Sequence, residues 1–240
     1  MDNKTRLSVN INKYALIRNS RGANFPDIVK IAEDCERFGA EGITVHPRYD
    51  ERHIKYSDLA PLKQTVTTEF NIEGYPDERF LNAVCAIKPE QCTLVSDASN
   101  QLTSDHGWDT IAQKEFLIPI VARLKAAGIR VSLFVDPDET MIAGAANTGA
   151  DRVELYTGVF AHEFAANPET AIEPHIRAAH TAQNFNLGVN AGHDLNLDNL
   201  RFYRDNIPNL LEVSIGHALI VDAIYYGLET AIAKYLHELS

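Results

Sequence analysis

Short runs rich in β-branched and other apolar residues recur along the chain. Longer stretches lie between them, with apolar positions three and four residues apart. The short runs fall at residues 7–11, 42–46, 69–73, 91–95, 130–135, 152–156, 187–190 and 211–215. Most read as nearly continuous apolar segments, the pattern of parallel strands covered on both faces. The intervening spacing predicts helices. Over 25–38, Ile28, Val29, Ile31, Ala32 and Cys35 keep helical spacing, Pro26 suits the first helical position, and Gly39 stops the run. A second helix is predicted over 140–147, capped by Asp136 or Asp138, with Thr148-Gly149-Ala150 leading into the next strand.

Eight strands, each followed by a helix, repeat about every 30 residues, the size of one βαβ step. No Gly/Ser-rich linker divides them. The pattern predicts an α/β chain folded as a single (β/α)8 TIM barrel over residues 1–240. An open doubly wound sheet is the alternative. The first βα turn carries no GxGxxG, which argues against a dinucleotide fold.

Composition narrows the partners. The chain of 240 residues is near the roughly 250 typical of such barrels. Its 33 acidic residues outnumber 22 Lys and Arg, for a net charge of −11. Nucleic acid and anionic membrane both need a basic surface, so neither is expected as a partner. Small anions need only a locally positive pocket. The three cysteines, Cys35, Cys85 and Cys92, match no metal or redox spacing. They are read as reduced thiols of a cytoplasmic protein. The polar stretch 1–7 is no secretory signal, and no apolar run reaches the ~20 residues of a membrane span.

Barrel enzymes carry their chemistry at the C-terminal strand ends. Here those ends hold Asn10, Asn12 and Lys13; His46, Arg48, Asp50, Arg52 and His53; Asn71 and Glu73; Glu154 and Thr157; Asn190, Gly192, His193 and Asp194; and Ser214, Gly216 and His217. Buried polar groups are costly unless paired, so this density points to a site. His46, His193 and His217 are expected to converge on one pocket. Taken singly, each histidine reads more readily as a hydrogen-bonded structural residue than as a participant in chemistry. Glu73 suits a general base of raised pKa, or a carboxylate paired across the barrel mouth, and Glu154 has the same two roles open. The glycines at 192 and 216 let backbone N–H groups approach an anion, or merely make tight turns. Arg21 and Arg48 offer forked donors for phosphate, whereas Arg18 and Arg52 read first as solvated surface charge. His106, His162, His175, His180 and His237 read as surface or cap residues. On residues alone, two other classes stay open: a metal-assisted hydrolase or lyase built on His46, His193 and His217, and a non-catalytic barrel with phosphate cradles.

Several segments together resemble the pyridoxine 5′-phosphate synthase family. They are Val9-Asn10-Ile11-Asn12, Arg18-Asn19-Ser20-Arg21-Gly22, Gly42-Ile43-Thr44-Val45-His46-Pro47-Arg48, Phe70-Asn71-Ile72-Glu73, Val189-Asn190-Ala191-Gly192-His193 and Ser214-Ile215-Gly216-His217-Ala218. The resemblance implies a (β/α)8 barrel that condenses 1-deoxy-D-xylulose 5-phosphate with 3-amino-2-oxopropyl phosphate. It implies no metal or organic cofactor and assembly as an octamer. By position, His46 and Glu73 match the family's general bases, His193 its general acid, and Glu154 its transition-state stabiliser. Arg21, Arg48, His53 and Thr103 match residues that hold the deoxyxylulose phosphate. Asn10, the backbone at Asp194, and Gly216-His217 match the aminoketone phosphate site. This chain departs from the family at Asn12-Lys13, where Asp-His is frequent, and at Asp194, where glycine is common.

Overall fold

The computed structural model describes residues 4–97 and 104–240. Strands β1 (Arg6–Asn10), β2 (Gly42–Val45), β3 (Glu69–Gly74), β4 (Gln91–Leu94), β5 (Arg130–Val135), β6 (Arg152–Tyr156), β7 (Gly188–Gly192) and β8 (Leu210–Ile215) are all parallel and close into a barrel in sequence order. The seam pairs β1 with β8 through Ser8 opposite Ser214 and Val9 opposite Ile215. Helices α1 (Asn12–Asn19) and α2 (Ile28–Arg37) follow β1, α3 (Tyr56–Thr65) follows β2, and α4 (Glu78–Ile87) follows β3. Helix α5 (Lys114–Ala126) follows β4 and α6 (Glu139–Ala146) follows β5. Next come α7 (Gly158–Glu163) and α8 (Pro168–Asn184) after β6, α9 (Leu200–Asn206) after β7, and α10 (His217–Tyr226) and α11 (Leu228–Glu238) after β8.

The expected strand positions and barrel closure are observed, and two caps settle the helix starts. Helix α2 starts at Ile28, because the Asp27 carboxylate caps it by accepting from the N–H groups of Val29 and Lys30; Pro26 stands outside the helix. Asp138, rather than Asp136, caps α6 in the same way. The strands are also not continuous apolar runs. They alternate: Leu7, Val9, Ile43, Phe70, Ile72, Val131, Leu133, Val153, Val189 and Val213 join the apolar core shared with the helices. The residues between them turn into the lumen.

Hydrogen bonds between strands that are not neighbours can run only through that lumen, and several do. Asn10 of β1 reaches Glu73 of β3, Thr93 of β4 reaches Glu154 of β6, and Asn190 of β7 reaches Gln91 of β4. Nearer the N-terminal ends, Glu69 pairs with Arg6 and Arg130, Arg152 donates to Asn190, and Asn190 donates to Glu212. Barrel lumens of this class are usually filled by Val, Ile and Leu. This one is filled by hydrogen-bonded and charged side chains.

Helix α1 fixes the long connection after β2. Arg18 makes a two-pronged bond to Asp58 at 2.8 Å on each arm and donates to the His53 carbonyl. Asn19 donates to the carbonyls of Arg52 and His53. Arg18 is 5% exposed, so it is a buried anchor and not the solvated charge its loop position suggested.

Candidate active site

The strand ends form a buried polar cluster. Glu73 and Glu154 enter from β3 and β6, and His46 follows β2; all three are buried. Asn10 donates to Glu73 Oε2 at 3.4 Å. The Thr93 hydroxyl lies 3.2 Å from Asn71 Oδ1 and 3.4 Å from Glu154 Oε2. The backbone N–H of His46 donates to Asn12 Oδ1 at 2.9 Å, and Asn12 N–H donates to Asn10 Oδ1 at 3.1 Å. The end of β1 therefore steadies both Glu73 and His46. His193, at the end of β7, rests against Phe134 and Tyr156, with ring centroids 5.8 and 5.5 Å away. His53 is buried 6.1 Å from the His46 ring. Its Nδ1 accepts from Ile54 N–H, which leaves the proton of the neutral ring on Nε2.

The electrostatics favour neutral forms. Burial, then the charges of Glu154 and Asp97, raises the Glu73 pKa well above the usual carboxylate value, against a lowering by Arg48. Burial raises Glu154 to about 7, with the Thr93 hydrogen bond opposing. Burial, then the nearby Arg48, His53 and His193, lowers His46 well below the ordinary imidazole value. His53 falls to about 4 through burial, then Arg48, Lys13 and Arg52. Burial also lowers His193, while Asp194 and Asp97 pull the other way. Near neutrality the site thus holds neutral imidazoles as proton acceptors and carboxyl groups able to donate or accept. Perturbed titration of this kind, clustered in a cleft, marks acid–base sites.

A cavity of about 480 Å³ opens beside this cluster. His46, Arg48, Arg52 and Asp97 form its polar wall, and Tyr49, Tyr56, Tyr75 and Trp108 its aromatic wall. Arg48 pairs with Asp97 at 2.6 Å, and Ser104 donates to Asp97 at 2.8 Å. Loops from β2 and β4 are thereby joined over the mouth. Among the described residues, no group of three or more His, Cys, Asp and Glu side chains has a metal-holding arrangement.

Residues 7–240 match the family described as pyridoxal phosphate biosynthesis protein PdxJ. The chain belongs to the PdxJ family. Among its relatives, the pyridoxine 5′-phosphate synthase of Cytophaga hutchinsonii is 62% identical over 235 residues, covering 98% of this chain and 99% of the relative. That of Flavobacterium johnsoniae is 54% identical, with the same coverage. Solved structures at 11–12% identity share the fold alone. They include a phosphoribosylanthranilate isomerase of Thermotoga maritima (TM-score 0.60, 98% of each chain) and a tryptophan synthase of Mycobacterium tuberculosis (TM-score 0.66, 99% of this chain and 93% of that one).

In this PdxJ-family chain, the residues singled out from sequence divide into three groups. Asn10, His46, Arg48, His53, Glu73, Glu154 and His193 gather at or beside the mouth, as described above. Gly216 joins them across the seam, where a Cβ on it would lie 3.1 Å from Asn10 Cβ. His217, Asp194 and Arg21 are exposed: His217 in the first turn of α10, Asp194 just past His193, Arg21 beyond α1. Thr103 lies outside the described residues. His175 is not a surface residue; it is buried on α8 and bonded to the Tyr203 hydroxyl at 2.9 Å. Sequence reasoning missed Asp97, Ser104, Tyr75 and Trp108. Asp97 was findable, since it stands two residues past the fourth predicted strand. At Asn12-Lys13, where the chain departs from the family, Asn12 holds the His46 backbone and the Lys13 charge reaches His53 and His193.

Proposed function

We propose that this chain catalyses the synthesis of pyridoxine 5′-phosphate from 1-deoxy-D-xylulose 5-phosphate and 3-amino-2-oxopropyl phosphate, releasing inorganic phosphate and water. The observation that carries the reading is the meeting of His46, Glu73, Glu154 and His193 at one barrel mouth, in a chain 62% identical to a pyridoxine 5′-phosphate synthase. The chemistry suits these groups. The substrate amine adds to a ketone and water leaves, which needs a proton acceptor at nitrogen and a donor at the departing oxygen. A phosphate then departs, the ring closes, and further C–H deprotonation makes it aromatic. Neutral His46 serves as a base from the outset, Glu73 serves as one in its ionised fraction, and His193 serves as the acid once its neutral ring has taken up a proton removed earlier in the sequence. Glu154, close to its own neutral point near pH 7, follows the charge that develops between them.

Arg48, Arg21, His53 and Thr103 are assigned to the deoxyxylulose phosphate. The cavity with Arg48 and Arg52 on its wall supports that seat. Asn10, the backbone at Asp194 and Gly216-His217 are assigned to the aminoketone phosphate. The amino end of α10 at His217 supports it, because helix N-termini attract anions. The reading extends to one catalytic domain over residues 1–240, working in the cytoplasm as a homo-octamer. Exposed Leu16 and Ile17 on α1 beside Ile224, Tyr225 and Tyr226 on α10 support self-association. No helix of the described residues is long and apolar enough to cross a membrane. Incubating the purified protein with both substrates tests the reading. Pyridoxine 5′-phosphate and phosphate should appear in equal amounts; neither appearing defeats it.

A further inference from the structure

Strand β7 ends in an unusual backbone. A Cβ on Gly192 would lie 2.4 Å from Glu154 Oε1, so the strand passes directly against that carboxyl group. The next two residues, His193 (φ 85°) and Asp194 (φ 57°), both adopt left-handed conformations without being glycine. Such conformations are disfavoured for L side chains and persist only where the surroundings over-determine them.

Thr157, just past the end of β6, supplies that constraint. It is fully buried. Its N–H donates to the Gly192 carbonyl at 3.0 Å, and its hydroxyl to the same oxygen at 2.7 Å. The His193 carbonyl is also a hydroxyl partner. One hydroxyl proton thus serves both carbonyls that flank the turn. Thr157 occupies the N-cap position of α7, where a threonine ordinarily bonds the first helical N–H groups, yet its side chain makes no cap bond. The hydroxyl is committed to β7 instead of its own helix.

We propose that Thr157 is a positioning residue that, through the Gly192 and His193 carbonyls, holds the strained His193–Asp194 backbone and so aims the His193 imidazole into the mouth. Phe134 and Tyr156 wall the ring, and the Asn196 and Asn199 side chains donate to the Asp194 carbonyl at 3.4 Å each; the Gly192 and His193 carbonyls are the ones the Thr157 hydroxyl takes. The inference rests on His193 acting in the proposed synthase reaction. A displacement of about 1 Å at a reacting group can cost on the order of 100-fold in rate.

The test pairs T157V, which keeps the shape without the hydroxyl, with T157S, which keeps the hydroxyl. T157V should lose about 10- to 100-fold in kcat, with KM for both substrates within about threefold, and T157S should restore most of the rate. Equal kcat in T157V and the unmodified protein overturns the proposal. So does an equal loss in T157S, which assigns the effect to packing. Should T157V fail to fold, T157S against T157A carries the same comparison, and equal rates overturn it. Titration of the His193 ring in nitrogen-15-labelled protein adds a reading that needs no substrate. The midpoint should move in T157V and not in T157S, and an unmoved midpoint in T157V overturns the proposal. An inactive unmodified protein defeats the functional reading and leaves this titration to judge Thr157.

Discussion

His46, Glu73, Glu154 and His193 share one condition: water is largely withheld from them, so each is pushed towards its uncharged form. That is what lets His and Glu side chains exchange protons with carbon and nitrogen near neutral pH. His193→Ala should lower kcat by about 100- to 10,000-fold while the circular dichroism spectrum stays unchanged. A normal rate removes His193 from the acid role. Because Glu154 rises to about 7, the kcat/KM profile of the free enzyme should show a limb near pH 7. E154Q should move or erase that limb, as measured by the rate across pH 5–9. Glu73 titrates together with Glu154, so the limb belongs to the pair. These four residues were legible in the sequence because a polar residue at a strand end has no stabilising reason to be there. Asp97 had the same strand-end signal but was missed, and Ser104 had none, because it lies in a loop and acts only by holding the Asp97 that pairs with Arg48. His217 and Arg21 were legible as types, but their exposure depends on loop paths that no spacing encodes.

At the scale of elements, the connection after β2 carries Arg48, Arg52 and His53, and α1 holds it through Arg18 and Asn19. Arg18→Ala would leave Asp58 without its cationic partner and leave the His53 carbonyl to Asn19 alone. Breaking a buried pair of this kind costs about 3 kcal/mol or more. The expected outcome is a lower urea midpoint together with a raised KM for the phosphate substrates; unchanged values of both refute it. The eight strands were legible in position because parallel strands recur with βα spacing. Their alternation was missed, because Thr, Ser and Gly between Val, Leu and Ile read as apolar runs until the register shows which side each faces. The start of α2 was misplaced for a local reason: Pro26 fits the first helical position, but the Asp27 carboxylate takes the N–H groups of Val29 and Lys30 and moves the start to Ile28.

For the whole molecule, the lumen makes stability depend on pH in a direction that can be worked out. Burial and the neighbouring Glu69 raise Glu212 to about 8. The folded chain therefore binds a proton that the unfolded chain releases near pH 4.5, and stability falls as pH rises from there to about 8. Glu154 acts the same way up to about 7. His53 and His175, lowered to about 4, act oppositely: their contribution is lost as pH falls from 6.5 towards 4. Between pH 6.5 and 8 these two histidines no longer contribute a slope. Stability should then decline by up to about 1.4 kcal/mol per pH unit for each proton released. E212Q should flatten this decline in urea titrations at pH 6.5, 7.25 and 8, and an unaltered slope refutes the assignment. Beneath this behaviour lies the division of the strands into an apolar outer face and a polar bore. Cohesion comes from the jacket, where helix meets sheet, and reactivity from the channel it encloses. Selection can therefore revise the catalytic repertoire in one shell without unsettling the adhesive in the other.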